Sequence, residues 1–249
     1  MVCKLCDKDK KLIKAHIIPE FLYKDLKLYS PDQKGQGRIH GFKNTNGLVQ
    51  NLKKGLPSGI YDSTILCKDC DSKVLKEFDD YGKLIFANLI EQSTRKEKRG
   101  NFDFIELEIS NYFLFKAFFI SIFWRASLSV RPEFSIVNLN SFDSRIKDCL
   151  KHKEINVTEE FEIVILYLNN GLSDDYLCNI IEVNKLNTYF YSFIAGGFLI
   201  NLFPYKNKIF KIWKDFIAKD EKIYRIPIIQ DSEASKYIIN TFIDSEILR

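Results

Sequence analysis

No stretch of this 249-residue chain stays apolar for the roughly 18–20 residues that crossing a bilayer requires. The first eleven residues, MVCKLCDKDKK, lack the apolar segment of a secretory signal. Both absences lead to the expectation of a soluble, cytoplasmic protein with no membrane partner. Glycine (11) and proline (6) are scarce, which excludes a collagen-like repeat and a Gly/Pro-rich linker. Internal repeats and low-complexity tracts are also missing. Net charge is only +4, too small to name a partner by itself. What is plentiful is core material: 46% of the residues are apolar and 14% aromatic, enough to exclude disorder.

The length exceeds the usual 100–200 residues of one domain. The charge is also divided unevenly. Residues 1–100 carry 20 Lys and Arg against 13 Asp and Glu, whereas residues 101–249 carry 17 against 20. A basic first part suits a nucleic-acid partner, although an uneven scatter of surface lysines accounts for it equally well. The charged run RKEKRG at residues 95–100 marks the expected boundary between a module at 1–100 and a second domain at 101–249.

Six cysteines occur, four of them in two Cys-x-x-Cys pairs: Cys3 with Cys6, and Cys67 with Cys70. Two residues between thiolates let both sulfurs of a tight knuckle reach one metal, and two knuckles complete a tetrahedron. A disulfide framework needs an oxidising compartment that nothing here marks. A thioredoxin-like redox site would need one pair, not two. The expected cofactor is therefore a structural Zn2+ on Cys3, Cys6, Cys67 and Cys70. Cys149 and Cys178 read as small buried hydrophobes.

Along the chain, residues 11–19 (KLIKAHIIP) read as a strand stopped by Pro19, and residues 19–29 as a helix begun by that proline. Residues 30–59 hold six of the 11 glycines and predict loops with one weak strand. A second strand is expected at 60–66. An amphipathic helix is expected at 71–91, with Val74, Leu75, Phe78, Leu84, Ile85 and Leu89 on its apolar face. Beyond residue 100, the spacing predicts a strand at 102–110, a central helix at 112–130 and a short helix at 141–152. Strands follow at 161–168, 178–183, 189–193 and 198–203, then a helix at 208–218, a strand at 224–229 and a terminal helix at 232–248. The fold class is α+β, with a mostly antiparallel sheet in the second domain.

One zinc on the four cysteines would pin the strands at 11–18 and 60–66 together and lay the helix from Asp71 across them. His16 would then face Asp71. An imidazole beside a divalent ion held by a carboxylate is a phosphodiester-cleaving pair: the ring takes a proton from water, and the ion stabilises charge on the phosphate. Each residue also has a plainer reading. His16 suits a half-buried strand position, and Asp71 an N-terminal cap. His40 and His152 read as solvated, and Arg125 as a core arginine with a partner.

Cys3-x-x-Cys6, AHIIP at residues 15–19 and ILCKDCD at residues 65–71 together resemble the zinc-stabilised HNH, or His-Me finger, nucleases with a ββα-metal core of treble-clef-like type. A group of bacterial HNH-like proteins with HIIPEFLY after the first pair is the nearer likeness, and the WRAS segment at residues 124–127 is a second, weaker anchor. The resemblance covers about residues 1–85. It implies His16 as general base, the four cysteines as zinc ligands, and Asp71 as ligand of a catalytic divalent ion, Mg2+ or another. The implied activity is metal-dependent DNA nicking or cleavage by an HNH-type endonuclease, in a restriction or phage-defence setting. DNA is the expected partner, RNA not being excluded, with a second copy of the chain or a defence-system protein as further partners. Ala15 stands where the family carries Asp or His before the base. Asn46 and Asn51 are the nearest equivalents of its bracing Asn, and Asp79 and Asp80 the nearest further carboxylates. The other reading is a zinc-stabilised module that binds nucleic acid or protein without cutting.

Overall fold

The computed structural model describes residues 1–22, 29–31, 37–39, 42–45, 48–51, 56–57, 60–92, 97–99, 102–153, 159–169, 177–185, 188–204 and 211–230. Short elements come first. Strand β1 (Ala15–His16) is followed by β2 (Tyr29–Pro31), β3 (Gly37–Ile39), β4 (Phe42–Thr45), β5 (Leu48–Asn51), β6 (Leu56–Pro57) and β7 (Tyr61–Asp62). A continuous helix starts at residue 68, is π-helical over Cys70–Leu75, and runs on as α1 (Lys76–Gln92). Then come β8 (Glu97–Arg99), β9 (Phe102–Glu108), α2 (Tyr112–Leu128) and α3 (Asp143–His152). The chain continues as β10 (Glu162–Leu168), β11 (Leu177–Lys185), β12 (Thr188–Ala195), β13 (Phe198–Phe203) and β14 (Ile223–Ile229).

The α+β class expected from sequence is what forms. Seven strands make one mixed sheet in the order β11-β12-β13-β10-β14-β9-β8. Only the β10–β14 pair is parallel; the other neighbours are antiparallel. Strand β10, EIVILYL, is apolar on both faces because it is covered on both. Its alternate residues divide accordingly. Ile163, Ile165 and Tyr167 join the main core, and Val164, Leu166 and Leu168 a second cluster on the opposite face. The β12–β13 hairpin turns at Gly196 and Gly197, whose φ values of 55° and 81° lie in the left-handed region that glycine enters without a Cβ clash.

Helix α2 is apolar nearly all round and is the centre of the main core; every residue from Phe115 to Ala126 is buried. Asn111 caps it, its side chain accepting from the Leu114 N–H at 2.9 Å. Buried residues from both sides of residue 100, from Cys3 to Ile228, form a single cluster around it. Helix α1 lies against α2 with Gly82 at the crossing, where an added Cβ would come within 2.3 Å of the Phe118 ring. That ring is wedged among Phe21, Phe86 and Phe119 and has no room to retreat. Gly82→Ala should therefore lower stability. Overpacking costs about 1–3 kcal/mol, against about 1 kcal/mol gained in helix propensity. A thermal melt is expected to show the midpoint down by several degrees.

Several expectations need correction. Of the helix foreseen at 19–29, the described part is a 3-10 turn at Glu20–Leu22, residues 23–28 lie outside the described residues, and Tyr29 belongs to β2, which pairs with β3. The described residues of 30–59 hold four strands, with a fifth beginning at Tyr29, where one was expected. Ladders of two to four residues leave too little alternation to read. The strands at 11–18 and 60–66 shrink to the two-residue β1 and β7, flanked by a bridge between Leu12 and Cys67. Leu84 faces outward, with Ile85 and Leu89 taking the buried side of α1. The run at 95–100 contains the edge strand β8. The described part of 208–218 is a 3-10 helix at Lys211–Phe216. The terminal helix at 232–248, His40 and Asn46 lie outside the described residues.

Candidate functional site

The two knuckles are shaped by the backbone before any side chain is considered. In the first, the Cys3 N–H donates to Lys8 O at 3.0 Å and the Asp7 N–H to Cys3 O at 2.9 Å, with Asp7 in the left-handed region at φ 55°. The Lys4 N–H reaches Ile65 O at 2.8 Å, and the Ile13 N–H reaches Leu66 O at 2.9 Å. These bonds draw residues 3–13 alongside residues 65–67. The second knuckle is the start of the helix itself, where the Asp71 N–H donates to Cys67 O at 3.1 Å. Lys10 closes the two knuckles from outside through Asp69, at 2.7 Å.

All four sulfurs consequently lie within 4.8 Å of one another, with Cys6 Sγ and Cys67 Sγ 4.0 Å apart. Zinc–sulfur bonds of about 2.3 Å put tetrahedral sulfurs about 3.8 Å apart, so the cage fits a structural zinc. The thiols are tuned unequally. Burial raises the Cys3 thiol, but the N–H groups of Cys6, Cys67 and Leu5 more than offset this and bring it down to about 7. Burial, then the sulfurs of Cys6, Cys67 and Cys3, push the Cys70 thiol far up. Four thiolates cannot share so small a space without a cation between them. Among the described residues no other group of three or more His, Cys, Asp or Glu donors converges in this way.

His16 lies on β1, half-buried, with Tyr61 as its partner on β7. Ala15, one residue earlier, is fully buried and faces Asp62 across the ladder. Asp71 lies inside the helix just after the last cysteine, so it is not the N-cap. Its carboxyl is raised, first by burial; Arg125 opposes the rise, Asp79 adds to it and His16 opposes it. The two residues singled out from sequence thus share one electrostatic neighbourhood with Arg125 and Asp79.

Arg125 is the larger surprise. It is completely buried in α2, and its guanidinium forms a two-pronged pair with Asp79: Nη2 to Oδ1 at 2.9 Å and Nη1 to Oδ2 at 3.2 Å. The partnered-arginine reading is therefore the right one. Asp79 is committed to this pair, and Asp80 is exposed and pairs with Lys76. Asp62 is a second residue that sequence reasoning missed. Its buried carboxylate accepts from the Thr64 N–H and hydroxyl at 2.7 Å each, from the Ser129 hydroxyl at 2.7 Å and from the Val130 N–H at 3.0 Å. Burial would raise this acid, but the four donors together hold it below the ordinary carboxylate range.

No helix is long and apolar enough to cross a membrane among the described residues. Comparisons of the chain with family models, with curated proteins and with solved structures return no match.

Proposed function

We propose that the protein is a metal-dependent endonuclease of HNH type that nicks or cleaves DNA. One observation carries the reading: an antiparallel strand pair bearing His16 is joined, at a four-cysteine cage, to a helix whose first turn bears Asp71. In this reading His16 takes the proton from a water molecule as its oxygen attacks phosphorus and the bond to the leaving oxygen breaks. Asp71 is the side chain that would hold a divalent ion, and a single carboxylate suits Mg2+, which keeps most of its waters and takes further oxygens from the substrate phosphate. When bound, such an ion supplies positive charge to the phosphate. The cysteine-bound zinc is structural and takes no part in the reaction. Restriction or phage defence is the proposed setting.

Supercoiled plasmid incubated with the full chain and Mg2+, Mn2+ or Ni2+ tests the proposal. His16→Ala is expected to lower the nicking rate by about 10²–10⁴-fold, the usual contribution of a general base, while zinc content stays at that of the wild type. Equal nicking by both proteins would remove the assignment. A second reading, a module that binds nucleic acid or protein without cutting it, is favoured by Ala15, which offers a candidate catalytic ion no donor. Salt-sensitive DNA binding with no nicking in any metal would select it.

A further inference from the structure

The strand pair that carries His16 is only two residues long on each side. So short a ladder fixes little by itself. Its position is set from outside, by the C-terminal end of α2 and the residues that follow. Arg125 Nη1 donates to the His16 carbonyl at 3.0 Å, and Arg131 Nη1 to the carbonyl of its ladder partner Tyr61 at 3.0 Å. One residue further along the ladder, the Asp62 carboxylate is held by Ser129 and Val130. Both strands are thus gripped by a single stretch of chain that lies more than sixty residues beyond them in sequence.

The bonding of Arg125 is complete. Its Nε–H donates to Ser121 O at 3.2 Å, Nη1 serves His16 O and Asp79 Oδ2, and Nη2 serves Asp79 Oδ1 and the Ser121 hydroxyl at 3.4 Å. Five N–H donors meet five acceptors, leaving none for a phosphate. A planar fork with every donor used has one orientation, which lysine cannot reproduce. Asp79, on α1, holds both terminal nitrogens of the fork, including the Nη1 that serves His16 O.

We infer that Arg125 and Asp79 are positioning residues: through the His16 carbonyl they set where the imidazole stands, so that α2 and α1 together aim the base of the proposed reaction. The inference rests on the nuclease reading for its consequence in rate, but not for its geometry. Misplacing a reacting group by about 1 Å costs on the order of 100-fold. Arg125 does not touch substrate in this arrangement, so its effect should fall on turnover and not on binding.

Two charge-conserving variants of the full chain test it, Arg125→Lys and Asp79→Glu. Both are expected to keep zinc and a cooperative melt, to leave KM for plasmid within about twofold, and to lower kcat by tenfold or more. With histidine-labelled protein, the His16 ring resonance, identified by its loss in His16→Ala, should shift in both variants while that of His152 stays in place. An unchanged kcat, or a His16 resonance that moves in neither variant, would overturn the inference. So would loss of zinc and of the melt in both, since the clamp would then be a determinant of folding alone. If the wild type nicks no faster than His16→Ala, the nuclease reading fails separately. The ring resonance then decides the positioning inference: a shift supports it, and no shift overturns it.

Discussion

Cys70→Ser is expected to release the bound ion and unfold the first part of the chain, not merely loosen it. Residues 1–22 and 60–75 are paired by a two-residue ladder and a single bridge, and Cys3, Cys67 and Cys70 belong to the buried core together with ten apolar side chains of these segments. A four-thiolate zinc contributes on the order of 10–16 kcal/mol of apparent binding energy in zinc-finger peptides, more than the whole stability of many domains. A serine hydroxyl stays protonated where a thiol would ionise, so the three remaining sulfurs keep a much weaker hold. Elemental analysis should find one zinc per chain in the wild type and none in the variant, and a strong chelator should reproduce the variant's melt. Cys149→Ser is the control. That thiol is buried on α3 and is not one of the four converging sulfurs, so its variant should keep the ion. Zinc retained at full occupancy by Cys70→Ser would refute the four-sulfur assignment.

The second large effect is expected from Asp79→Ala. Arg125 has no exposed surface, and without Asp79 its charge would be left in the core with only carbonyl and hydroxyl oxygens as hydrogen-bond acceptors. Removing one partner of a buried ion pair costs about 3–5 kcal/mol. The lower end, about 3 kcal/mol, applies here because Asp79 retains 26% exposure and water can partly replace it. Chemical denaturation should show the midpoint lowered with an unchanged slope. The double variant Asp79→Leu with Arg125→Met should recover most of the loss, because no unpaired charge remains. A single variant as stable as the wild type would mean that solvent already reaches the guanidinium.

The parts that could be read from sequence are those whose information is local. The Cys-x-x-Cys spacing announces a metal cage, because each knuckle is closed within a few residues. The apolar run of α2 announces a buried helix, and the short runs of β-branched and aromatic residues in β9 to β14 most of the sheet. The parts that could not be read depend on distant partners. Nothing near Arg125 in the chain indicates that it would meet Asp79, 46 residues away, or the carbonyl of His16, 109 residues away. An arginine in a mostly apolar helix does require some partner, and that much is visible. Asp62 gave no such sign, standing in a polar stretch whose burial is produced by the loop after α2.

The place of β14 has a consequence for how the chain is made. It is the one strand joining β10 to β9, through Leu168 beside Ile229 and Glu108 beside Ile223, so it links the two halves of the sheet. A ribosome must deliver more than 220 residues before that link can form. Until then the part of the core around α2 that Tyr224, Ile226 and Ile228 fill stays uncovered. Such a nascent chain is a natural client for chaperones, and slow decoding just before residue 223 would prolong its exposure.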